Sequence, residues 1–147
     1  MINQDEDLKR KYEHITSIEG VGKITGVTLL HLFINYPNAN SKQITSLVGL
    51  DPIRKQSGTS IQSKTRISKA GSRIYRGDLF MSAMVAIRYN EKMKVFYERL
   101  KDNSKQTTQA QAAVMRKLTI LAHSLYKNEQ MYDKDRYKRE SGLEKCA

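Results

Sequence analysis

Apolar side chains recur at three- and four-residue steps over most of this chain, and the recurrence stops where glycine or proline stands. Leu8, Tyr12 and Ile15 place a polar helix over about Asp5 to Ser17. Ile18-Glu19-Gly20-Val21-Gly22-Lys23 interrupts it, and Ile24, Val27, Leu30, Leu32 and Phe33 resume the pattern until Tyr36-Pro37. Helix, tight Gly-x-Gly hairpin, helix is the expected result. A short helix from about Ser41 to Val48, capped by Ser41 and ended by Gly49, adds Ile44, Leu47 and Val48 to the same core.

The period changes between Leu50 and Ile67. Asp51-Pro52 breaks the helix, Ser57-Gly58 marks a turn, and the flanks alternate loosely, as in an exposed basic hairpin or loop. Helical patterning returns near Ser72 with Leu79, Ala83, Met84, Ala86 and Ile87, and continues beyond Asn90 through Val95, Phe96 and Leu100. The clearest helix carries Ala110, Ala113, Val114, Leu118, Leu121, Ala122 and Leu125 on one side, with Arg116, Lys117 and Lys127 turned elsewhere. Met81, Met84, Met93 and Met115 lie at or near these stripes and read as core filling. After Lys127 a charged, tyrosine-dotted tail either extends the helix or frays. The expected architecture is mainly α: a compact helical domain with a helix-hairpin-helix motif and an irregular basic loop or short β-hairpin insertion.

Composition narrows the function. The 147 residues suffice for one ordinary domain, and the net charge of +11 implies an anionic partner. The charge is spread over most of the chain, which favours nucleic acid over a membrane surface. No apolar run approaches membrane-spanning length and Met1 to Asp7 is acidic and polar, so the expectation is a cytoplasmic protein without a membrane partner. The single cysteine, Cys146, excludes an internal disulfide. His14, His31 and His123 have no cysteine or carboxylate at ligand spacing, so no metal site is expected in this chain.

Two segments carry candidate chemistry. Between Arg54 and Arg76 stand Arg54, Lys55, Lys64, Arg66, Lys69, Arg73 and Arg76, interleaved with serines and threonines and with no Asp or Glu. Cations neutralise phosphates, while hydroxyls and glycine-exposed backbone N–H groups fix register on a sugar-phosphate backbone. In the hairpin, Gly20 and Gly22 let backbone approach a phosphate, and Lys23 adds charge at a helix start; a turn whose glycines serve packing alone is the competing reading. Ser57 precedes Gly58 at the expected turn tip, with cations beside it to neutralise a developing phosphorane charge. A base to take its proton is not evident, and the acids show no grouping that would hold paired Mg²⁺ ions. By its own residues the chain reads as a binding module or as half of an active site.

Five ordered motifs carry a resemblance: Ser17-Ile-Glu-Gly-Val-Gly-Lys-Ile-Thr-Gly26, Ser46-Leu-Val-Gly-Leu-Asp-Pro52, Gln56-Ser57-Gly58, Ile67-Ser-Lys-Ala-Gly-Ser-Arg73 and Arg116-Lys117-Leu118. From about Tyr12 to Lys127 the chain resembles the C-terminal transposase domain of the insertion-sequence one-ten family, which includes Piv-type DNA invertases and recombinases guided by a bridge RNA. The resemblance implies DNA as partner, with or without a guide RNA, and homo-oligomers of the full-length protein, working in the cytoplasm at the nucleoid. It implies that Ser57 attacks a DNA phosphate and forms a transient phosphoserine link. Mg²⁺ would be held by carboxylates of a separate RuvC-like domain, absent from this chain, so this chain would be inactive alone. Residues 1–17 then correspond to the end of a connecting helix, 12–127 to the transposase domain and 128–147 to a charged tail. Where the family hairpin commonly reads Pro-Gly-Ile-Gly, this chain has Glu19-Gly20-Val21-Gly22, an acid beside the turn. The family's Gly-Asn followed by Leu-Arg is here Gly71-Ser72 and Tyr75-Arg76.

Overall fold

A computed structural model describes residues 6–53 and 66–135. Among them are six helices, α1 (Glu6–Thr16), α2 (Lys23–Asn35), α3 (Ser41–Val48), α4 (Arg73–Tyr89), α5 (Glu91–Asp102) and α6 (Thr107–Asn128), and two short strands, β1 (Pro52–Ile53) and β2 (Arg66–Ile67). The strands pair antiparallel, Pro52 opposite Ile67 and Ile53 opposite Arg66, so a two-rung ladder joins the described residues on either side of 54–65.

The core is built around α6, which packs against all five other helices. Its run of 22 residues holds no glycine or proline, and it buries Val114, Leu118, Leu121, Ala122 and Leu125. Thr119, fully buried on this helix, satisfies its hydroxyl by donating to the Met115 carbonyl at 2.8 Å. His123 is also buried there, edge-on to Phe33 with ring centroids 5.1 Å apart. Burial, with Lys127 adding to it, pushes the His123 pKa down, while a hydrogen bond to the Ala39 backbone opposes the shift.

Helix ends follow from local chemistry, with one correction. The cap of α3 is Asn40, and Ser41 is already helical. Asn40 Oδ1 accepts from the Gln43 N–H while Gln43 Oε1 accepts from the Asn40 N–H, both at 2.9 Å, a reciprocal box that a serine one position later could not form. Gly49 closes α3 in the left-handed region at φ 76°. A Cβ on Gly49 would lie 2.8 Å from the Ala70 and Gly71 nitrogens, and one on Gly71 would lie 1.7 Å from the Leu47 carbonyl oxygen. Two backbones therefore touch where α3 meets the loop before α4, and both glycines are required by contact.

Four expectations about burial change, the first being Val95, which is 39% exposed on α5. Ile24 and Val27 are 75% and 45% exposed. The reason is Gly26, which turns the opposite side of α2 onto α1, where a Cβ would meet Thr16 Cγ2 at 2.5 Å and Tyr12 Cε2 at 2.9 Å. Of the methionines, Met93 and Met115 are buried and Met84 is half-buried beside Gln111, but Met81 is 64% exposed on the outer side of α4. Lys117 is not simply turned to solvent. Its ammonium sits 4.0 Å from the Phe96 ring centroid, and burial, then Arg99, pushes its pKa down.

The tail neither extends α6 nor frays within residues 129–135. Glu129 turns the chain at φ 51°, and the Gln130 N–H returns to the Leu125 carbonyl. Tyr132 then donates its N–H to Ser17 Oγ and its hydroxyl to Asn90 Oδ1, and Lys134 pairs with Glu19. Asn90, 1% exposed, is the node of this corner: its Nδ2 donates to the Glu19 carbonyl at 3.1 Å and its Oδ1 accepts from the Met93 N–H as the cap of α5.

Asn90→Ala removes a helix cap and leaves the Glu19 carbonyl without its donor, so unfolding free energy in urea should fall by about 2–3 kcal/mol. Gly71→Ala should cost at least about 2 kcal/mol because backbone must move. Gly77→Ala, inside α4 with no atom within 4 Å of its added Cβ, should instead stabilise by about 0.5–1 kcal/mol in the same urea titration.

Candidate nucleic-acid interface

Residues 49–51 and 68–72, on either side of the short ladder, hold backbone groups outside helix and strand, and both backbone and side chains satisfy them. The Ser68 N–H donates to the Asp51 carbonyl at 2.9 Å and the Lys69 N–H to the Gly49 carbonyl at 3.0 Å. The Ser68 hydroxyl donates to the Asp51 carboxylate. Arg76, reaching back from the first turn of α4, donates Nη1 to the Gly71 carbonyl at 2.6 Å and to the Val48 carbonyl at 3.2 Å. Arg116, from the middle of α6, donates Nη2 and Nε to the Leu50 carbonyl at 2.7 and 3.2 Å. Two guanidinium groups thus hold the carbonyls at the end of α3, immediately before the chain enters β1.

This geometry sorts the basic residues. Arg66, Lys69 and Arg73 are exposed, Arg66 on β2, Lys69 in the left-handed region at φ 53°, and Arg73 at the first position of α4. Arg76 is half-buried, and one of its guanidinium nitrogens is engaged with the protein's own backbone. Arg54, Lys55, Ser57 and Lys64 lie outside the described residues. Of the carboxylates closest in sequence, Asp51 accepts from Ser68, and Asp78 accepts from Thr28 at 2.6 Å. The exposed cations of this loop therefore face outward without a described acid paired to them, which leaves their field available to an anion.

The glycine turn divides in two. Gly20, at φ 107°, faces α4 so closely that a Cβ would stand 2.6 Å from the Ala86 Cβ, so its lack of a side chain serves packing. Gly22 has nothing within 4 Å of an added Cβ and is the uncapped entry to α2, followed by exposed Lys23 and with no acid in the first turn. The acid beside the turn, Glu19, is paired with Lys134. The turn and the basic loop are also apart. Thr25 meets Ser82, Thr28 meets Asp78 and His31 meets Tyr75, so α2 runs antiparallel to α4. Lys23 stands near the Ser82–Ala86 level while Arg73 opens the helix, about 15 Å of helix away.

Sequence reasoning missed the inward role of Arg116 and the corner built on Asn90. A lone arginine within an apolar helical stripe was the available signal for the first. Asn90 offered one too, since an asparagine between two helical patterns is a cap candidate. Among the described residues, no three His, Cys, Asp or Glu side chains come together to hold a metal ion, and no helix is long and apolar enough to cross a membrane.

Three motifs that carry the sequence resemblance, Ser46–Pro52, Ile67–Arg73 and Arg116–Leu118, thus converge on one structural element, the braced base from which residues 54–65 depart. Over 140 residues, 91% of this chain, the protein is 31% identical to the pilin gene-inverting protein of Moraxella bovis, of which it covers 42%. It is 31% identical, over the same share, to the pilin gene-inverting protein of Moraxella lacunata. It is 27% identical over 122 residues to an insertion element IS110 protein of Streptomyces coelicolor, covering 29% of that relative. The chain therefore spans less than half the length of these relatives. Residues 12–98 match the IS116/IS110/IS902 transposase family, and the chain belongs to that family.

Proposed function

We propose that this chain is the strand-cleaving and strand-exchanging part of a DNA recombinase, binding a nucleic-acid backbone on its basic loop and supplying Ser57 as the nucleophile. The observation that carries this reading is the braced loop base. Arg116 and Arg76 fix the carbonyls of Leu50, Val48 and Gly71, while Arg66, Lys69 and Arg73 around the same base remain exposed. A rigid base is what a nucleophile needs if its attack is to be in line, because misplacement by about 1 Å costs roughly a hundredfold in rate.

In the proposed step, Ser57 Oγ bonds to phosphorus as the bond from phosphorus to one deoxyribose oxygen breaks, and that oxygen leaves as a hydroxyl after taking a proton. The serine proton must pass to a base. Mg²⁺ and the carboxylates that would hold it are assigned, in this reading, to a separate RuvC-like domain. Homo-oligomers of the complete protein, acting in the cytoplasm at the nucleoid, belong to the same proposal. DNA is the proposed partner, and a guide RNA presents the same phosphates to the same cations.

The open, acid-free entry to α2 at Gly22-Lys23 supports a second reading, a helix-hairpin-helix binding module in which Ser57 only donates a hydrogen bond to phosphate. Two measurements separate and test these. Replacing Arg66, Lys69 and Arg73 together with glutamine should lower the slope of log K against log salt for duplex binding by about 2–3, one phosphate contact each. An unchanged slope would remove the surface assignment from both readings. In the complete protein, Ser57→Ala should reduce strand exchange by at least about 10³-fold while changing DNA affinity only modestly. Strand exchange that survives the substitution would leave the binding module as the better reading.

A further inference from the structure

Neither the nucleophile nor the phosphate contacts use the open cleft of about 920 Å³ between the end of α2, the turn into α3, α3 itself and the loop before α4. Among the described residues, no charged side chain lines it. Its walls set two aromatic rings, Tyr36 and Tyr75, and the apolar Leu47 among the amides of Asn38 and Gln43 and the hydroxyl of Ser46. Flat apolar faces with amide and hydroxyl groups at the edge suit a flat, uncharged ligand that carries its own donors and acceptors.

The surroundings say which ligand. The wall formed by Ala70, Gly71 and Ser72 is continuous in the chain with Lys69 on one side and Arg73 on the other, and both cations are exposed. A phosphodiester lying on those two would hold its sugar at the rim of the cleft and its base over the tyrosines. Resting on the nucleic-acid reading above, we propose that this cleft takes one unpaired nucleobase from the strand whose phosphates lie on Lys69 and Arg73.

Both aromatic groups are held ready for it. The Tyr75 hydroxyl lies 3.0 Å from His31 Nδ1, and the Asn35 amide lies 3.1 Å from the other ring nitrogen of His31, so the ring is positioned from the α2 side. Tyr36 ends α2, its N–H returned to the Leu32 carbonyl, and Pro37 limits the backbone after it. The residue is 45% exposed, which leaves ring surface for a base to cover. A base in a duplex cannot reach the cleft without leaving its stack, at a cost of about a few kcal/mol. The cleft therefore favours strands already open, as DNA is during exchange.

The test titrates this chain with a labelled single strand of DNA, the same sequence as RNA, the DNA strand with its bases replaced by abasic sites, and a perfect duplex. Tyr36→Ala should weaken binding of base-bearing single strands roughly five- to a hundredfold, the loss of one base stacked on an aromatic ring, and leave the abasic strand and the duplex within about twofold. Tyr36→Trp should restore single-strand binding, which a purely structural role for Tyr36 would not produce. Loss on DNA, on RNA or on both supports the cleft and names the source of the base. An equal loss on the abasic strand, or no loss anywhere, overturns the cleft and leaves the phosphate surface standing. Failure of the unsubstituted chain to bind any strand overturns the surface and the cleft together.

Discussion

The burial of α6 on nearly every side is the constraint from which the rest of this fold follows. A helix that touches five others can do so only if small residues such as Ala110 and Ala122 admit close neighbours and its polar groups find partners within the helix or across it. Thr119 does the first, returning its hydroxyl to the Met115 carbonyl. Arg116 does the second, leaving the helix to hold the Leu50 carbonyl. Packing on α6 and ordering of the loop base are consequently one event, since Arg116 reaches Leu50 only when α3 lies against α6.

From that coupling comes a division of labour among cations that look alike in sequence. Arg76 and Arg116 face inward and satisfy carbonyls that a short irregular segment would otherwise bury without donors, which would cost about 1–3 kcal/mol each. Arg66, Lys69 and Arg73 face outward and are available to phosphate. The inner pair holds the base of the loop, and the outer set leaves exposed positive charge around it. The proposed base-binding cleft shares the wall between them, with Gly71 pressed on the end of α3. Any strand drawn to the outer cations is thereby offered a fixed surface.

At the opposite end of α2 and α4, the corner around Asn90 joins the glycine turn, the start of α5 and the returning tail through one side chain. Its effect on the surface is electrostatic as well as mechanical. By drawing Lys134 onto Glu19, the tail pairs the acid that stands beside the glycine turn, where the sequence had placed an unfavourable charge next to a candidate phosphate contact.

Much of this was legible residue by residue. The ends of α2 and α3 were marked by Gly22, Pro37 and Gly49, and α6 by its unbroken period, because glycine, proline and helical spacing act through the local backbone. The acid-free run and the five motifs carried the family. What the chain alone left undetermined was direction. α2 is apolar almost all round, so nothing in its sequence says that Gly26 faces α1 and Ile24 faces solvent. Gly20 and Gly22 are the same residue type two positions apart, yet one is filled by Ala86 and the other opens outward. Arg73 and Arg76 stand one helical turn apart, and only the carbonyls of Val48 and Gly71 decide that the second turns in. Local chemistry determined where the helices and charges are; neighbours distant in the chain decided which groups they face, because burial is a property of the assembled core.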